Sequence, residues 1–381
     1  MKGNKVGELP PYAEYIVVLC TILLSIGLVL VYSASAPYAL EACGFKEDCA
    51  STTYLLRHLF VTVGFFVSMF LVSLVPLRVW YRLSRVGIVV VVILLTGLLI
   101  PGVGRCYNNA CRWYVLFGGF HFQPSEYAKL VWAIYLADAL YRHGAKLGNF
   151  WRGLVFYTIF MAIISGLILA EPDFGNAVLV GVLTVVMLAA AGVPWRHFAV
   201  YVVVAAVVGY FFVYRVDYRW QRVIATYSPW QHAQDQGYQI IQSWIALGSG
   251  GLFGQGLGSG LQKLRYLPEP FTDFIVAVAG HELGFAGIFL LIFLFAVLFW
   301  VLFSVMKRIE DDRNRLLATG LYALLAVQVV ANGAVVTGLL PTKGLPMPFL
   351  SYGGSHTVAT GVLMGLWLRL IREEIYLRKK G

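Results

Sequence analysis

Apolar runs of about 18 residues or more recur from one end of this 381-residue chain to the other, each long enough for an α-helix to cross a bilayer. Charged residues make up 13% of the chain and apolar ones 59%, whereas soluble domains carry roughly 25% charged residues. A soluble globular fold is excluded. The expected fold is a single all-α polytopic membrane domain over residues 1–381, with about ten transmembrane helices. The spans fall at about 13–35, 55–75, 86–101, 123–141, 153–170, 175–193, 198–214, 273–305, 315–340 and 355–371. One long loop, about 215–272, separates the seventh from the eighth. Ser33-Ala-Ser-Ala36 resembles a leader cleavage site, but the run before it, from Tyr15 to Tyr32, exceeds a signal core of about 7–15 residues and reads as a retained span.

A net charge of +10 admits an anionic partner such as nucleic acid, yet the cations are distributed as topology requires. With the N-terminus inside, the cytoplasmic segments hold 18 of the 29 Lys and Arg residues. The outer loops and the span ends beside them hold ten, five of them in the long loop, and Lys129 alone lies well inside a span. Both termini are therefore expected in the cytoplasm and the long loop outside, with no nucleic-acid partner. Of the five cysteines, Cys20 packs within a span, while Cys43, Cys49, Cys106 and Cys111 fall in outer loops. Four cysteines on an oxidising face suggest two disulfides, with three possible pairings.

Inside the long loop, Ile240, Ile241, Trp244 and Ile245 recur at helical spacing, so residues 236–247 are expected to lie in the interface or re-enter it. Residues 248–260 contain seven glycines. Such a backbone suits close approach to phosphate, a hinge, or tight helix packing, and it lacks the spacing of a nucleotide-binding loop. The eighth span would measure about 49 Å if wholly helical, against a hydrocarbon core of about 30 Å, so its first turns are expected to project or tilt. Gly280, Gly284 and Gly287 offer places to bend.

Ionisable groups at membrane depth are costly and require a partner or a wet cavity. Glu126 and Lys129, three apart on one helix face, form either a structural ion pair or a site where the lysine meets a lipid phosphate. Glu171-Pro-Asp173 is either a capped turn or a carboxylate pair that shares a proton or holds a divalent cation. Asp138 lies near a cytoplasmic end and is expected to be solvated. Asp273 opens the eighth helix, where the macrodipole favours the ionised form that a general base needs. From spacing alone, however, it reads first as an N-cap. Lys263, Arg265 and Arg112 share the outer face with Asp273 and suit a phosphate leaving group. Glu282 is about half a turn out of phase with Asp273 and is expected to make a buried hydrogen bond that orients helices. Nucleotide sugars and ATP are cytoplasmic, so an outward-facing enzyme must draw on an energised lipid-linked donor.

Several stretches together carry a resemblance. They are Val31-Tyr-Ser-Ala-Ser35, Arg112-Trp113, Gln123-Pro-Ser-Glu-Tyr-Ala-Lys129, Glu171-Pro-Asp-Phe-Gly175, Tyr238-Gln239, Gln242-Ser243 and the glycine run. Leu267-Pro-Glu-Pro-Phe-Thr-Asp-Phe-Ile275, Glu282-Leu-Gly-Phe285 and Leu340-Pro-Thr-Lys-Gly-Leu-Pro-Met-Pro-Phe-Leu-Ser-Tyr-Gly-Gly354 complete the set. In order, and over nearly the whole chain, they resemble the SEDS family (shape, elongation, division and sporulation), the ten-span peptidoglycan polymerases. Pro341-Thr-Lys-Gly344 is similar to the cell-division branch rather than the elongation branch.

The resemblance implies an inverting transfer between two lipid II molecules at the outer face of the bacterial cytoplasmic membrane, at the division septum. Asp273 matches the family's essential aspartate and would act as general base. Substrate contacts are implied at Arg112, Glu126, Lys129, Glu171, Asp173, Gln242, Lys263, Arg265, Glu269, Glu282, Lys343 and Ser351. A divalent metal, Mg²⁺ or Mn²⁺, is expected to bind mainly through the pyrophosphate, because no dense acidic cluster marks a metal site. The implied partners are a class B penicillin-binding transpeptidase and other divisome proteins. The chain departs from the family pattern at Phe271 (commonly His), His281 (frequently Glu), His356 (usually Ser) and Asn176 (usually Thr). Two other classes fit the same features. One is a lipid II transporter using Glu126, Lys129 and Glu282 as a headgroup path. The other is a scaffold for the transpeptidase, in which Asp273 would be dispensable.

Overall fold

The computed structural model describes residues 11–42, 52–107, 110–116, 120–144, 147–259, 267–268, 270–342 and 344–377. Its helices are, in chain order, α1 (Pro11–Ala42), α2 (Thr53–Leu74), α3 (Leu77–Leu98), α4 (Pro124–His143), α5 (Phe156–Ala170), α6 (Phe174–Ala190), α7 (Ala199–Gly209), α8 (Asp217–Tyr227), α9 (Tyr238–Ser249), α10 (Ile275–Met306), α11 (Asp312–Val336) and α12 (Gly354–Ile371). Each sequence-predicted span coincides with a helix. Among the described residues six helical segments, those of α1, α2, α3, α5, α10 and α11, are long and apolar enough to cross a bilayer. Helices α6 and α7 are apolar but shorter, and α4 carries four charged residues. The long loop 215–272 contains α8, which the sequence did not suggest, and α9, which falls where residues 236–247 show helical spacing.

Helices gain no hydrophobic energy by leaving lipid for one another, so close backbone approach has to hold them together. Helix α12 shows how. Gly361 and Gly365, four residues apart, face α2, where an added Cβ would lie 2.5 Å from the Phe65 carbonyl and 2.6 Å from that of Met69. The outward faces remain apolar: Phe60, Val86, Val202 and Phe289 are all exposed, as a lipid-facing surface demands.

Helix α10 resolves its excess length by breaking. Gly284 has φ +67° and ψ −164°, so the i→i−4 ladder cannot pass through it. The carbonyls of His281 and Glu282 instead accept from Gln255 N (3.0 Å) and Gly256 N (3.1 Å). On the other side of the break, Phe285 N and Ala286 N donate to Gly251 O (2.9 Å) and Leu252 O (3.0 Å). The glycine run is therefore a plug: it satisfies four backbone groups that would each cost several kcal/mol unpaired in hydrocarbon. This is the tight helix packing that the sequence left open for it. The 22 residues from Phe285 to Met306 then measure about 33 Å, which matches a bilayer core.

Two ends of the bundle differ in chemistry. At one end Asp138 of α4, only 1% exposed, pairs with Arg85 of α3 (3.0 Å), Arg142 (2.9 Å) and Arg313 of α11. The expectation of a solvated Asp138 is corrected: three guanidinium groups bury it by supplying the hydrogen bonds that water would. At the other end lies a small sheet of β1 (Arg105–Tyr107), β2 (Ala110–Val115) and β3 (His121–Phe122), in that order and antiparallel. Cys106 and Cys111 face each other across β1 and β2 and form a disulfide. Cys43 and Cys49, expected to supply a second one, lie outside the described residues.

The plug predicts a contrast between glycines. Gly254 sits at φ +81°, and an added Cβ would collide with the Glu282 carbonyl, whereas Gly248 in α9 faces open space. Gly254→Ala is expected to cost more than about 1 kcal/mol and Gly248→Ala next to nothing, as read from thermal unfolding in detergent. Equal unfolding temperatures for the two variants would mean the plug does not hold the break.

Candidate active site

Asp273 does not cap α10. The N-cap is Phe274, which makes no side-chain capping bond, and Asp273 precedes it in the turn 270–274. This corrects the sequence-based reading of an N-capping aspartate, and the cause is that the turn is held from elsewhere. Tyr352 N donates to Phe271 O (2.8 Å), the Ser351 hydroxyl donates to Thr272 O, and Asn332 Nδ2 donates to Asp273 O (2.9 Å). Three consecutive carbonyls are thus gripped by α11 and by the segment 341–353 that follows it. The same segment runs past the carboxylate: a Cβ added to Gly344 would stand 3.6 Å from Asp273 Oδ2. Phe349, at φ +67°, bends this segment, and its buried ring packs against Phe65 and Phe295. Above the turn, Phe271 joins Tyr38, Tyr54 and Tyr352 in an aromatic group with ring centroids 5.4–5.8 Å from its own.

Ser351 was expected among the substrate contacts. The structure buries it and commits its hydroxyl twice, donating to Thr272 O and accepting from Met347 N at 2.8 Å. Its work is therefore internal.

A second group fills the space between α4, α6 and α12. Glu126 accepts from Lys129 (3.0 Å), His356 Nδ1 (2.9 Å) and Asn176 Nδ2 (3.2 Å), and Lys129 also donates to Asn176 Oδ1 (2.7 Å). Asp173 is the N-cap of α6: Oδ1 accepts from Asn176 N (3.2 Å), and Oδ2 accepts from Asn176 Nδ2 (2.8 Å), Gln123 Nε2 (3.1 Å) and Ser125 Oγ (3.3 Å). Glu126 and Lys129 form the ion pair that their spacing suggested, and both are 3% exposed. Arg112 on β2 reaches the same corner, donating from Nε to Glu171 O (3.1 Å) and from Nη2 to Pro172 O. Glu171 itself is buried, and neither carboxylate oxygen has a hydrogen-bond partner among the described residues. Burial first, and then the neighbouring Asp173, push its carboxyl up to about 9 against the opposing pull of Arg112.

Glu282 stands apart from both groups. It accepts from Ser33 Oγ of α1 at 2.9 and 2.8 Å, and Ser33 in turn accepts from Gly258 N at 3.2 Å, so the carboxylate ties α1 to the plug. Gln242 lies half-buried on α9, away from Asp273 in sequence and on a different element. Lys263, Arg265, Glu269 and Lys343 lie outside the described residues. Among the described residues no three His, Cys, Asp or Glu side chains are placed to ligate one ion, so the chain's own groups form no cage for a divalent metal there.

Sequence reasoning gave no role to Asn332, and it quoted Gln123 and Ser33 only within the stretches that carry the resemblance. Each is an uncharged polar residue within or beside an apolar run, a signal weaker than that of an ionisable group at membrane depth.

The described "Cell cycle protein" family of FtsW, RodA and SpoVE matches residues 14–376. The "Probable peptidoglycan glycosyltransferase FtsW" of Geobacter sulfurreducens is 37% identical over 374 residues, covering 97% of each chain. Its counterpart in Aromatoleum aromaticum is 39% identical over 361 residues, covering 94% of this chain and 87% of that one. Among solved structures, a chain from work described as "Structural coordination of polymerization and crosslinking by a peptidoglycan synthase complex" superposes with a TM-score of 0.77 at 26% identity, covering 95% of this chain and 98% of that one. The Rod shape determining protein RodA of Thermus thermophilus superposes at 0.66, also 26% identical, covering 95% and 96%.

Glu171 carries a pH prediction. A carboxyl raised in the folded state holds its proton more tightly there than in the unfolded chain, so stability falls as pH rises from about 4.5 towards about 9. Glu171→Gln removes that slope. The variant is expected to melt above the wild type at about pH 9 and to converge with it near pH 4.5, as read by thermal unfolding in detergent.

Proposed function

The chain belongs to the FtsW/RodA/SpoVE family of cell cycle proteins, and we propose on that premise that it is a peptidoglycan glycosyltransferase of cell division acting on lipid II. Donor and acceptor are both lipid-linked, and the site lies at the outer face of the bacterial inner membrane with both chain termini in the cytoplasm. The positive-inside distribution of Lys and Arg supports that orientation.

The observation that carries the mechanism is the placement of Asp273. Its carboxylate sits half-buried beside Gly344, in a turn whose three successive carbonyls are held. It lies next to the N-terminus of α10, where the helix dipole favours the ionised form. In the reaction, the acceptor GlcNAc 4-hydroxyl oxygen forms a bond to the donor MurNAc anomeric carbon from the face opposite the leaving group. The bond from that carbon to the pyrophosphate oxygen breaks, the hydroxyl proton passes to Asp273, and undecaprenyl pyrophosphate departs. Mg²⁺ or Mn²⁺ would arrive on the pyrophosphate, since the described residues offer no cage of their own. Arg112 is spent on the Glu171–Pro172 turn, so within this reading it shapes the rim rather than carrying the leaving group. A class B penicillin-binding transpeptidase is the proposed partner, at the septum with other divisome proteins. The likeness to a chain from a peptidoglycan synthase complex supports it. A headgroup path through Glu126 and Lys129 has little to support it, because both are buried and hydrogen-bonded to each other and to their neighbours.

The test is glycan synthesis from purified lipid II, with and without the cognate transpeptidase. Folded Asp273→Asn is expected to lose at least about 100-fold in rate, the lower range for a general base. Equal polymer from both proteins would sink the assignment. No polymer from wild type with its partner would favour transport or scaffolding.

A further inference from the structure

We infer that Asn332 is a positioning residue for Asp273, acting through the backbone of the turn 270–274. The inference rests on the reading of Asp273 as the base. Asn332 lies one turn from the end of α11, inside the apolar run Val329-Val-Ala-Asn-Gly-Ala-Val-Val336, and is 1% exposed. Its amide nitrogen divides its two hydrogens between two chain segments, donating to Asp273 O at 2.9 Å and to Leu345 O at 2.8 Å. Both neighbours are carbonyls, so the nitrogen and not the oxygen must face them.

The amide is not a purely favourable choice for the core: its Oδ1 is buried with no hydrogen-bond partner among the described residues, and an unpaired buried amide oxygen is destabilising. A leucine of similar volume would avoid that cost but would leave the carbonyls of Asp273 and Leu345 without this donor. What the asparagine alone supplies is a bridge that fixes the 273–274 peptide plane against the segment bearing Gly344. With Thr272 O held by Ser351 and Phe271 O by Tyr352 N, three successive planes are set. The backbone from which the Asp273 carboxylate projects is thereby fixed. Misplacing a reacting group by about 1 Å costs on the order of 100-fold in rate, so this bridge is where such a loss would originate.

The experiment uses full-length protein in nanodiscs and compares wild type, Asn332→Leu and Asn332→Ala, the second variant serving if the first does not fold. Steady-state glycan synthesis from lipid II gives kcat and KM, and hydrogen exchange gives the opening of residues 270–275. The expected result is a kcat at least about tenfold lower with KM within about twofold of wild type, and faster exchange confined to that turn. Two results overturn the inference: a folded variant that turns over within about twofold of wild type, or a lower kcat with unchanged exchange in the turn. Wild type that makes no glycan would instead defeat the polymerase reading. The exchange data would then decide the bridge alone, unchanged exchange removing it and faster exchange retaining it.

Discussion

Hydrocarbon supplies no hydrogen bonds, and every irregular feature around Asp273 answers to that constraint. A helix can break in a bilayer only where something else meets the freed N–H and carbonyl groups. At Gly284 the glycine plug does so, with four bonds to the groups flanking the break. The plug's own position is set by Gly258 N on Ser33, and Ser33 by Glu282. The break, α1 and α9 are therefore one unit. Its consequence for the site is geometric: the short segment 275–283 of α10 can take its direction from the turn 270–274 instead of continuing the long helix below it.

The polar group between α4, α6 and α12 obeys the same constraint differently. A buried ion pair gains little net stability, because desolvation offsets the attraction, and it survives only when its remaining donors and acceptors are met. Here Asn176 and His356 meet them, both bonded to Glu126. These are two of the four positions at which the chain departs from the family pattern. Both therefore meet on one carboxylate. A third departure, Phe271, replaces a polar residue with a ring that fits among Tyr38, Tyr54 and Tyr352. The fourth, His281, hydrogen-bonds Ser249 at 2.7 Å and so joins α9 to α10.

Much of this was legible in the sequence. Apolar length located α1 to α7 and α10 to α12, and the i, i+3 spacing of Glu126 and Lys129 foretold their contact at 3.0 Å. The excess length of the eighth span together with its glycines announced a bend, although not that a separate segment would fill it. Backbone pairing between distant segments leaves no periodic trace, so the plug read only as a glycine-rich stretch. The small sheet was missed for a related reason: its strands of three, six and two residues are too short for alternation to register. Asp138 was misjudged because its position near a helix end suggested water, whereas two of its three partners come from α3 and α11, which are remote in sequence.

Asp173 and Asp273 show why the candidate base had to lie off the helix cap. Both stand at the start of an apolar helix at the same end of the bundle, and the dipole favours the anion at each. Asp173 occupies the N-cap itself, and its two oxygens receive four donors, which fixes it. Asp273 stands one residue before the cap, which is Phe274. A residue so displaced loses the cap's anchorage and needs another. The carbonyls of 271, 272 and 273 provide it by anchoring the residue through its backbone. On the proposed function, such backbone anchorage is what lets one aspartate be held in place and serve as the base.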